Sequence, residues 1–277
     1  MSDHLQKLIA LAIEEDLAGG VDITSVATIP IDQMSIAQFV NRSAGVIAGI
    51  PVAIEVLRYV GITDISAKVS DGQDVEAGTV ILEARGKTRE LLLAERTALN
   101  FLTHLSGIAT LTKSWVDAVS GTNCVIRDTR KTTPGLRTLE KAAVIAGGGT
   151  NHRLSLSDAA LIKDNHIVAA GGVLTAFELV RNEYPSTEIE VEVDTLDQLR
   201  EVLAAKPDLI LLDNMSPDLC RQAVEIVDHR VKLEASGGIT LENARAYAMS
   251  GVDYLAIGAL THSAPVLDIG LDLTMGR

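Results

Sequence analysis

Apolar residues recur at helical spacing near the start of the chain (Leu5, Leu8, Ile9, Leu11, Ala12) and predict an amphipathic helix over 5–17 that stops at Gly19-Gly20. Asp22-Ile23-Thr24-Ser25 reads as a cap and turn cluster rather than as chemistry. From Ser35 to Ile81 the pattern shortens. Ala37–Val40 and Gly45–Ala48 are strand-like, and 51–60 is helical with Ala53, Val56 and Leu57 on one face. Ile65–Val69 and Val75–Glu83 follow as strands joined by Asp71-Gly72-Gln73. Arg89–Val119 is the longest helical run, striped by Leu92, Leu93, Leu99, Leu102 and Leu105, with Gly107 expected to divide it in two.

After Gly121 the rhythm changes. Apolar runs at 124–128, 159–163, 189–193, 209–212, 231–235 and 254–257 alternate with helical patterns at 136–146, 173–184, 196–205, 217–227 and 241–250. This is the βαβ alternation of a mainly parallel sheet, which right-handed crossovers can close into a barrel. A chain of 277 residues has room for two domains, or for one barrel with an attachment.

The polar residues just past each strand point to chemistry. In order they are Arg130 and Lys131, Lys163 and Asp164, Glu192 and Asp194, Asp213 and Asn214, Ser236-Gly237-Gly238, and Gly258. Barrel active sites assemble at the C-terminal strand ends. Two strands would supply cations, two carboxylates and two Gly-rich turns: an anion clamp, a hydroxyl or metal site, and a phosphate cradle. His152 and Arg153 follow Gly147-Gly148-Gly149, and beside these cations His152 is expected to donate to an anion. His166 and His262 read as turn and packing residues.

Charge sharpens this picture. The formal net charge is -13, yet residues 126–166 carry seven cations against four acids. A positive island in an acidic protein suits an anionic ligand. The overall acidity and the 3% aromatic content argue against nucleic acid. No apolar run is long enough to span a membrane, the N-terminal helix is not a signal peptide, and a cytoplasmic location is expected. Cys124 and Cys220 lack metal-ligand spacing and read as buried thiols. The stretch VSDGQDVEAGTVILEARG resembles the hairpin of biotinyl and lipoyl carrier domains, but no Lys occupies its turn.

The phrases EEDLAGGVDITS, ERTALNFLTHLSGIAT, RDTRKTTPGLR, the run from NHR to KDNH, EVEVD, LLDN, EASGGI and GALTHSA occur in an order that resembles the quinolinate phosphoribosyltransferases over nearly the whole chain. The resemblance implies an α/β protein: an N-terminal α+β sandwich-like domain (1–115), then an open, incomplete α/β barrel (116–265), with the tail 266–277 packing back on the first domain. Family barrels have seven strands, whereas six are legible here. The implied reaction joins quinolinate to 5-phosphoribosyl-1-pyrophosphate with Mg²⁺, releasing pyrophosphate and CO2. By the same resemblance Lys131, Lys163, Glu192 and Asp213 are catalytic. Arg130, His152, Arg153 and the lysines hold the quinolinate carboxylates and nearby phosphate. Ser236, Gly237 and Gly258 cradle the 5-phosphate, and Glu192 and Asp213 hold the ribose hydroxyls and Mg²⁺-linked groups. Arg96 is expected to enter from the partner subunit of a homodimer or larger homo-oligomer. Two alternatives are a molybdate-linked (ModD-like) relative, which fewer cations would favour, and a non-catalytic phosphosugar-binding barrel or carrier-like module.

Overall fold

The structure is a computed structural model and describes residues 3–275. The chain folds into two compact units. Residues 3–111, Pro134–Gly148 and 263–275 form the first, and Thr112–Thr133 with Gly149–His262 the second. Among the described residues no helix is long and apolar enough to cross a membrane.

The first unit begins with α1 (Asp3–Leu17), which buries Ile9 and Ile13. Asp22 is the N-cap of α2 (Ile23–Thr28), its carboxylate accepting the Ser25 N–H at 3.0 Å. Next come β1 (Met34–Asn41), β2 (Gly45–Val46), α3 (Ile50–Tyr59), β3 (Asp64–Ala67), β4 (Asp74–Val75) and β5 (Val80–Lys87). Strand β1 is central, with Ala37 and Phe39 fully buried; it pairs antiparallel with β5 and with the last strand of the chain, β12 (Ile269–Met275). The turn between β3 and β4 has a second task. Both carboxylate oxygens of Asp71 accept N–H groups at the start of α3, from Gly49 and Ile50, each at 3.0 Å. Gly49 has no side chain to cap that helix, so Asp71 satisfies its orphan donors from a distance.

Helix α4 (Thr88–Ala118) runs unbroken for 31 residues, so Gly107 does not divide it. Glycine is there because backbone crosses the helix closely: a Cβ at 107 would lie 2.1 Å from the Pro265 carbonyl oxygen. Past β6 (Val125–Arg127), the helix α5 (Arg137–Ala146) groups with the first unit, although its place in the alternation marks it as a barrel helix. It packs there through fully buried Glu140, which meets His104 Nε2 at 2.8 Å.

The second unit continues through β7 (Ala160–Ile162), α6 (Asp164–Ala170), α7 (Val173–Glu183), β8 (Ile189–Val193), α8 (Leu196–Leu203), β9 (Leu209–Asp213), α9 (Pro217–Val227), β10 (Lys232–Ser236), α10 (Leu241–Ala248), β11 (Tyr254–Ala256) and α11 (Ala259–His262). Its six strands are all parallel, in the order β6-β11-β10-β9-β8-β7. Both β6 and β7 therefore end the sheet, and the barrel is open. All five residues of β8 are buried, as befits a strand covered on both faces. Helix α6 leaves no periodic pattern in the sequence: it has seven residues and buries none of them. Thr150 forms a one-residue parallel bridge to Arg127, a vestigial seventh position beside β6.

Gly107→Ala separates two effects of opposite sign. Helix propensity favours Ala by about 1 kcal/mol. Overpacking costs about 1–3 kcal/mol and wins here, because the obstructing atom is backbone and cannot rotate away. The urea midpoint of the Gly107→Ala protein should fall with an unchanged slope; a raised midpoint would show that the crossing chain moves aside freely.

Candidate active site

Side chains alternate along a strand, so residues two apart share a face. In the second unit that rule stacks two layers inside the barrel: Leu161 below Lys163, Glu190 below Glu192, Leu211 below Asp213, Glu234 below Ser236. The upper ends open into a pocket of about 310 Å³. Arg130, Lys131, His152, Arg153, Lys163, Glu192, Asp213 and Ser236 all line it, with Thr129, Leu161, Leu211, Glu234 and Ala256. Gly237 and Gly258 are absent from this lining, and Arg96 belongs to the first unit, exposed on α4.

The cations are held by their backbones and stems, with charge left over for a ligand. The Lys131 N–H donates to Thr129 Oγ1 at 3.0 Å, and its carbonyl accepts the Thr261 hydroxyl at 2.8 Å. Gly258 leaves room for the Lys131 stem, since a Cβ there would stand 3.0 Å from Lys131 Cδ. Arg153 donates from one guanidinium nitrogen to the Ala159 carbonyl at 2.7 Å. The Nε atoms of Arg130 and Arg153 are buried with no hydrogen-bond partner. Burial, and then the charge of Arg130, hold the Arg153 guanidinium below its usual pKa. Two guanidinium groups that repel each other and carry buried, unpaired donors form an anion site.

The same segment spans the opening of the barrel. Thr150 exchanges backbone bonds with β6, its N–H reaching the Ile126 carbonyl at 2.9 Å. The His152 N–H donates to Asp128 Oδ1 at 2.8 Å. His152 Nδ1 accepts the Arg153 N–H at 2.7 Å, which assigns the ring proton to Nε2. Nε2 faces Glu190 Oε2 at 2.7 Å and Glu234 Oε1 at 3.4 Å, too long and too poorly aimed for a hydrogen bond in the second case. Arg127 pairs with the other oxygen of Glu234 at 2.9 Å and stacks over the Tyr254 ring. Burial is the largest cause that raises both carboxyls, Glu190 and Glu234, to about 7. The three ligating atoms of His152, Glu190 and Glu234 lie within 4.8 Å of one another. With a proton on Nε2 and Arg127 on Glu234, this is a proton-sharing cluster rather than a metal site.

In the same lining Lys163 Nζ reaches Glu192 Oε2 at 3.0 Å. The Lys163 N–H donates to His166 Nδ1 at 3.0 Å, so His166 caps α6. Burial first, then the charges of Glu192 and Asp194, raise the Asp213 pKa. Two neighbouring carboxylates offer the hard oxygen ligands that suit Mg²⁺, so Glu192 and Asp213 fit such an ion. Asn214, in the left-handed region at φ 53, donates from Nδ2 to Asp213 Oδ2 at 2.6 Å. Its side chain also explains Gly237 (φ +87), where a Cβ would meet Asn214 Oδ1 at 2.1 Å.

Arg127, Glu190 and Glu234 lie one layer deeper, where the strand-end rule does not reach. The signal was present in EVEVD: if Glu192 points inward, so must Glu190. Cys124 and Cys220 are buried free thiols, pushed up to about 12 and about 11, mainly by burial.

The raised Glu234 pKa fixes a sign for stability against pH. The folded protein keeps this proton to about pH 7, whereas an unfolded carboxyl releases it near its ordinary value of about 4.3. The group's contribution is complete below that lower value and is lost as pH rises through 7. Replacing it by Glu234→Gln removes this loss. Between pH 4.5 and 7.5 the urea midpoint of the variant should therefore gain on that of the wild type; parallel midpoints across the range would refute the assignment.

Comparison with known proteins agrees along the whole chain. Residues 22–106 match the N-terminal domain and residues 108–272 the C-terminal domain of "Quinolinate phosphoribosyl transferase". The chain is 52% identical over 277 residues to a protein named nicotinate-nucleotide pyrophosphorylase [carboxylating] from Mycobacterium leprae, covering 98% of each chain. It is 43% identical to a probable nicotinate-nucleotide pyrophosphorylase [carboxylating] of Bacillus subtilis, covering 99% of this chain and 96% of that one. Among solved structures, NadC from Streptococcus pyogenes superposes with a TM-score of 0.94 at 38% identity, over 99% of this chain and 97% of the other. The chain belongs to the quinolinate phosphoribosyl transferase family.

Proposed function

We infer that the protein transfers the phosphoribosyl group of 5-phosphoribosyl-1-pyrophosphate to quinolinate with loss of CO2, giving nicotinate mononucleotide and pyrophosphate for NAD biosynthesis. The observation that carries this reading is the pair of buried, unpartnered guanidinium Nε atoms of Arg130 and Arg153, facing two strand-end carboxylates across one pocket. A ligand with two carboxylates answers such a surplus of cations, and ribose hydroxyls answer Glu192 and Asp213.

Each group has a task in that reaction. Arg130, Arg153 and Lys131, with Lys163 beside them, hold the dicarboxylate so that its ring nitrogen faces ribose C1. Glu192 and Asp213 accept bonds from the ribose hydroxyls and would hold Mg²⁺, which when bound neutralises charge on the departing pyrophosphate. Ser236 lines the pocket, and the turns at Gly237 and Gly258, which accommodate Asn214 and the Lys131 stem, would offer backbone N–H groups to the 5-phosphate. As the C1–pyrophosphate bond breaks, positive charge builds on the ribose, and the ring nitrogen adds to C1 with its lone pair. The resulting pyridinium stabilises the electron pair left on C2 when the neighbouring carboxylate departs as CO2, and C2 then takes up a proton. The protein's contribution is position and fixed charge, and no covalent nucleophile is required.

The test is an assay of purified protein with phosphoribosyl pyrophosphate and Mg²⁺, following nicotinate mononucleotide. Quinolinate should be used with kcat/KM at least about a hundredfold above nicotinate, since a second carboxylate completes two charge-assisted hydrogen bonds. Comparable values for both would overturn the dicarboxylate reading.

Arg96 carries a further part of the proposal. It is exposed on α4 and, among the described residues, forms no ion pair in its own chain. Its donation to a partner's site, as the family resemblance implies, requires at least a two-fold dimer. Arg96→Ala and Lys163→Ala proteins should each be nearly inactive, and subunit exchange between them should restore activity in the one site that keeps both residues. Exchange without recovery would mean that Arg96 does not act across the interface.

A further inference from the structure

Arg153 has more than one place to point. It lines the pocket just described, and, like His152, it also lines a second hollow of about 270 Å³, walled by Arg127, Asn151, Asp158, Glu188 and Glu190. That second hollow contains carboxylates, which attract a guanidinium. The side chain borders both, its guanidinium bonded to the Ala159 carbonyl on the wall of the second hollow, and a chain of three short hydrogen bonds fixes its place. Glu190 Oε2 meets His152 Nε2 at 2.7 Å, His152 Nδ1 accepts the Arg153 N–H at 2.7 Å, and the Arg153 guanidinium donates to the Ala159 carbonyl at 2.7 Å. Glu190 and His152 are buried, at 4% and 9% exposure, so water does not compete for these bonds.

We propose that Glu190 is a positioning residue for the dicarboxylate site: by accepting the His152 Nε2–H it leaves Nδ1 bare to hold the Arg153 backbone, and so fixes the place from which the Arg153 side chain serves both the pocket and the Ala159 carbonyl. Glu190 faces the site from below and touches no ligand there. His152 is on this account a strut between β8 and the segment that spans the barrel opening, with its one N–H committed to Glu190. A neutral imidazole has one donor and one acceptor. Reversing its tautomer would present N–H against N–H at Arg153 and lone pair against carboxylate at Glu190, so the two bonds stand or fall together. The charged neighbours of Glu190 are Arg127 on β6, Arg153, Glu188 at the foot of its own strand, and Lys163 beyond β7, with Glu234 facing it from β10. None of these replaces the bond to His152.

The inference rests on the dicarboxylate reading of the site, and two variants separate them. Glu190→Gln keeps an oxygen to accept the Nε2–H. Glu190→Leu removes it while filling the space, and replacing a buried acid with an apolar side chain is compatible with folding. In the quinolinate assay Glu190→Gln should stay within about twofold of wild type, while Glu190→Leu should raise the quinolinate KM about tenfold or more, the loss of one charge-assisted hydrogen bond. The KM for phosphoribosyl pyrophosphate should not move. The nitrogen chemical shifts of the His152 ring, read by NMR, should report the Nε2–H form in wild type and Glu190→Gln and lose that preference in Glu190→Leu. A Glu190→Leu protein with unchanged quinolinate KM, a parallel loss in both KM values and kcat, or a Glu190→Gln protein as impaired as Glu190→Leu would each overturn the proposal. If wild type transfers nothing to quinolinate, the functional reading fails by itself; the ring shifts still decide whether Glu190 sets the tautomer.

Discussion

A parallel sheet of six strands that does not close leaves two edges, and edges leave backbone N–H and C=O groups without partners. This constraint shapes the second unit. The chain deals with it by laying 150–153 along the opening: Thr150 as a single bridge to β6, the Arg153 guanidinium on the carbonyl just before β7, and the His152 ring on the buried acid of β8. The groups that bridge the opening also supply the cationic wall of the pocket. A closed barrel would have satisfied its edges with backbone and had no need of a half-buried arginine there.

Electrostatics explains why such a wall survives in an acidic chain. Arg130 works against the charge of Arg153 and Glu192 against that of Asp213, while Lys163 offsets Glu192 at 3.0 Å. The lower layer absorbs part of the imbalance: Arg127 offsets Glu234, and the raised carboxyls there spare the core a second full negative charge. Keeping like charges close is costly, and the layer beneath them still leaves Glu190 Oε1 and Glu234 Oε1 buried without a hydrogen bond.

Much of this architecture was legible in the residues. The strand at 189–193 and the helix at 217–227 coincide with β8 and α9, because Ile189, Val191 and Val193 alternate strictly with Glu190 and Glu192 and Pro217 opens a helix cleanly. The strand-end rule gathered Arg130, Lys131, Lys163, Glu192, Asp213 and Ser236 on one pocket without knowledge of any contact. What escaped was non-local. Gly107 looks like a break until the Pro265 carbonyl is seen against it, and α5 has the pattern of a barrel helix while its buried Glu140 faces His104. Glu190 and Glu234 were passed over because attention to strand ends ignores the residue two positions earlier. Helix α6, with no buried side chain, has no periodicity to detect.

The pairing of β12 with β1 has a bearing on synthesis. The central strand of the first unit gains one of its two neighbours only when Ile269–Met275 has left the ribosome. At usual elongation rates β1 waits roughly 10–50 s with an open, partly apolar edge, while the whole second unit is being made. The nascent chain is thus most vulnerable to strand-to-strand association with other copies during that interval. The sheet of the first unit is therefore completed only after all strands of the second unit have been made.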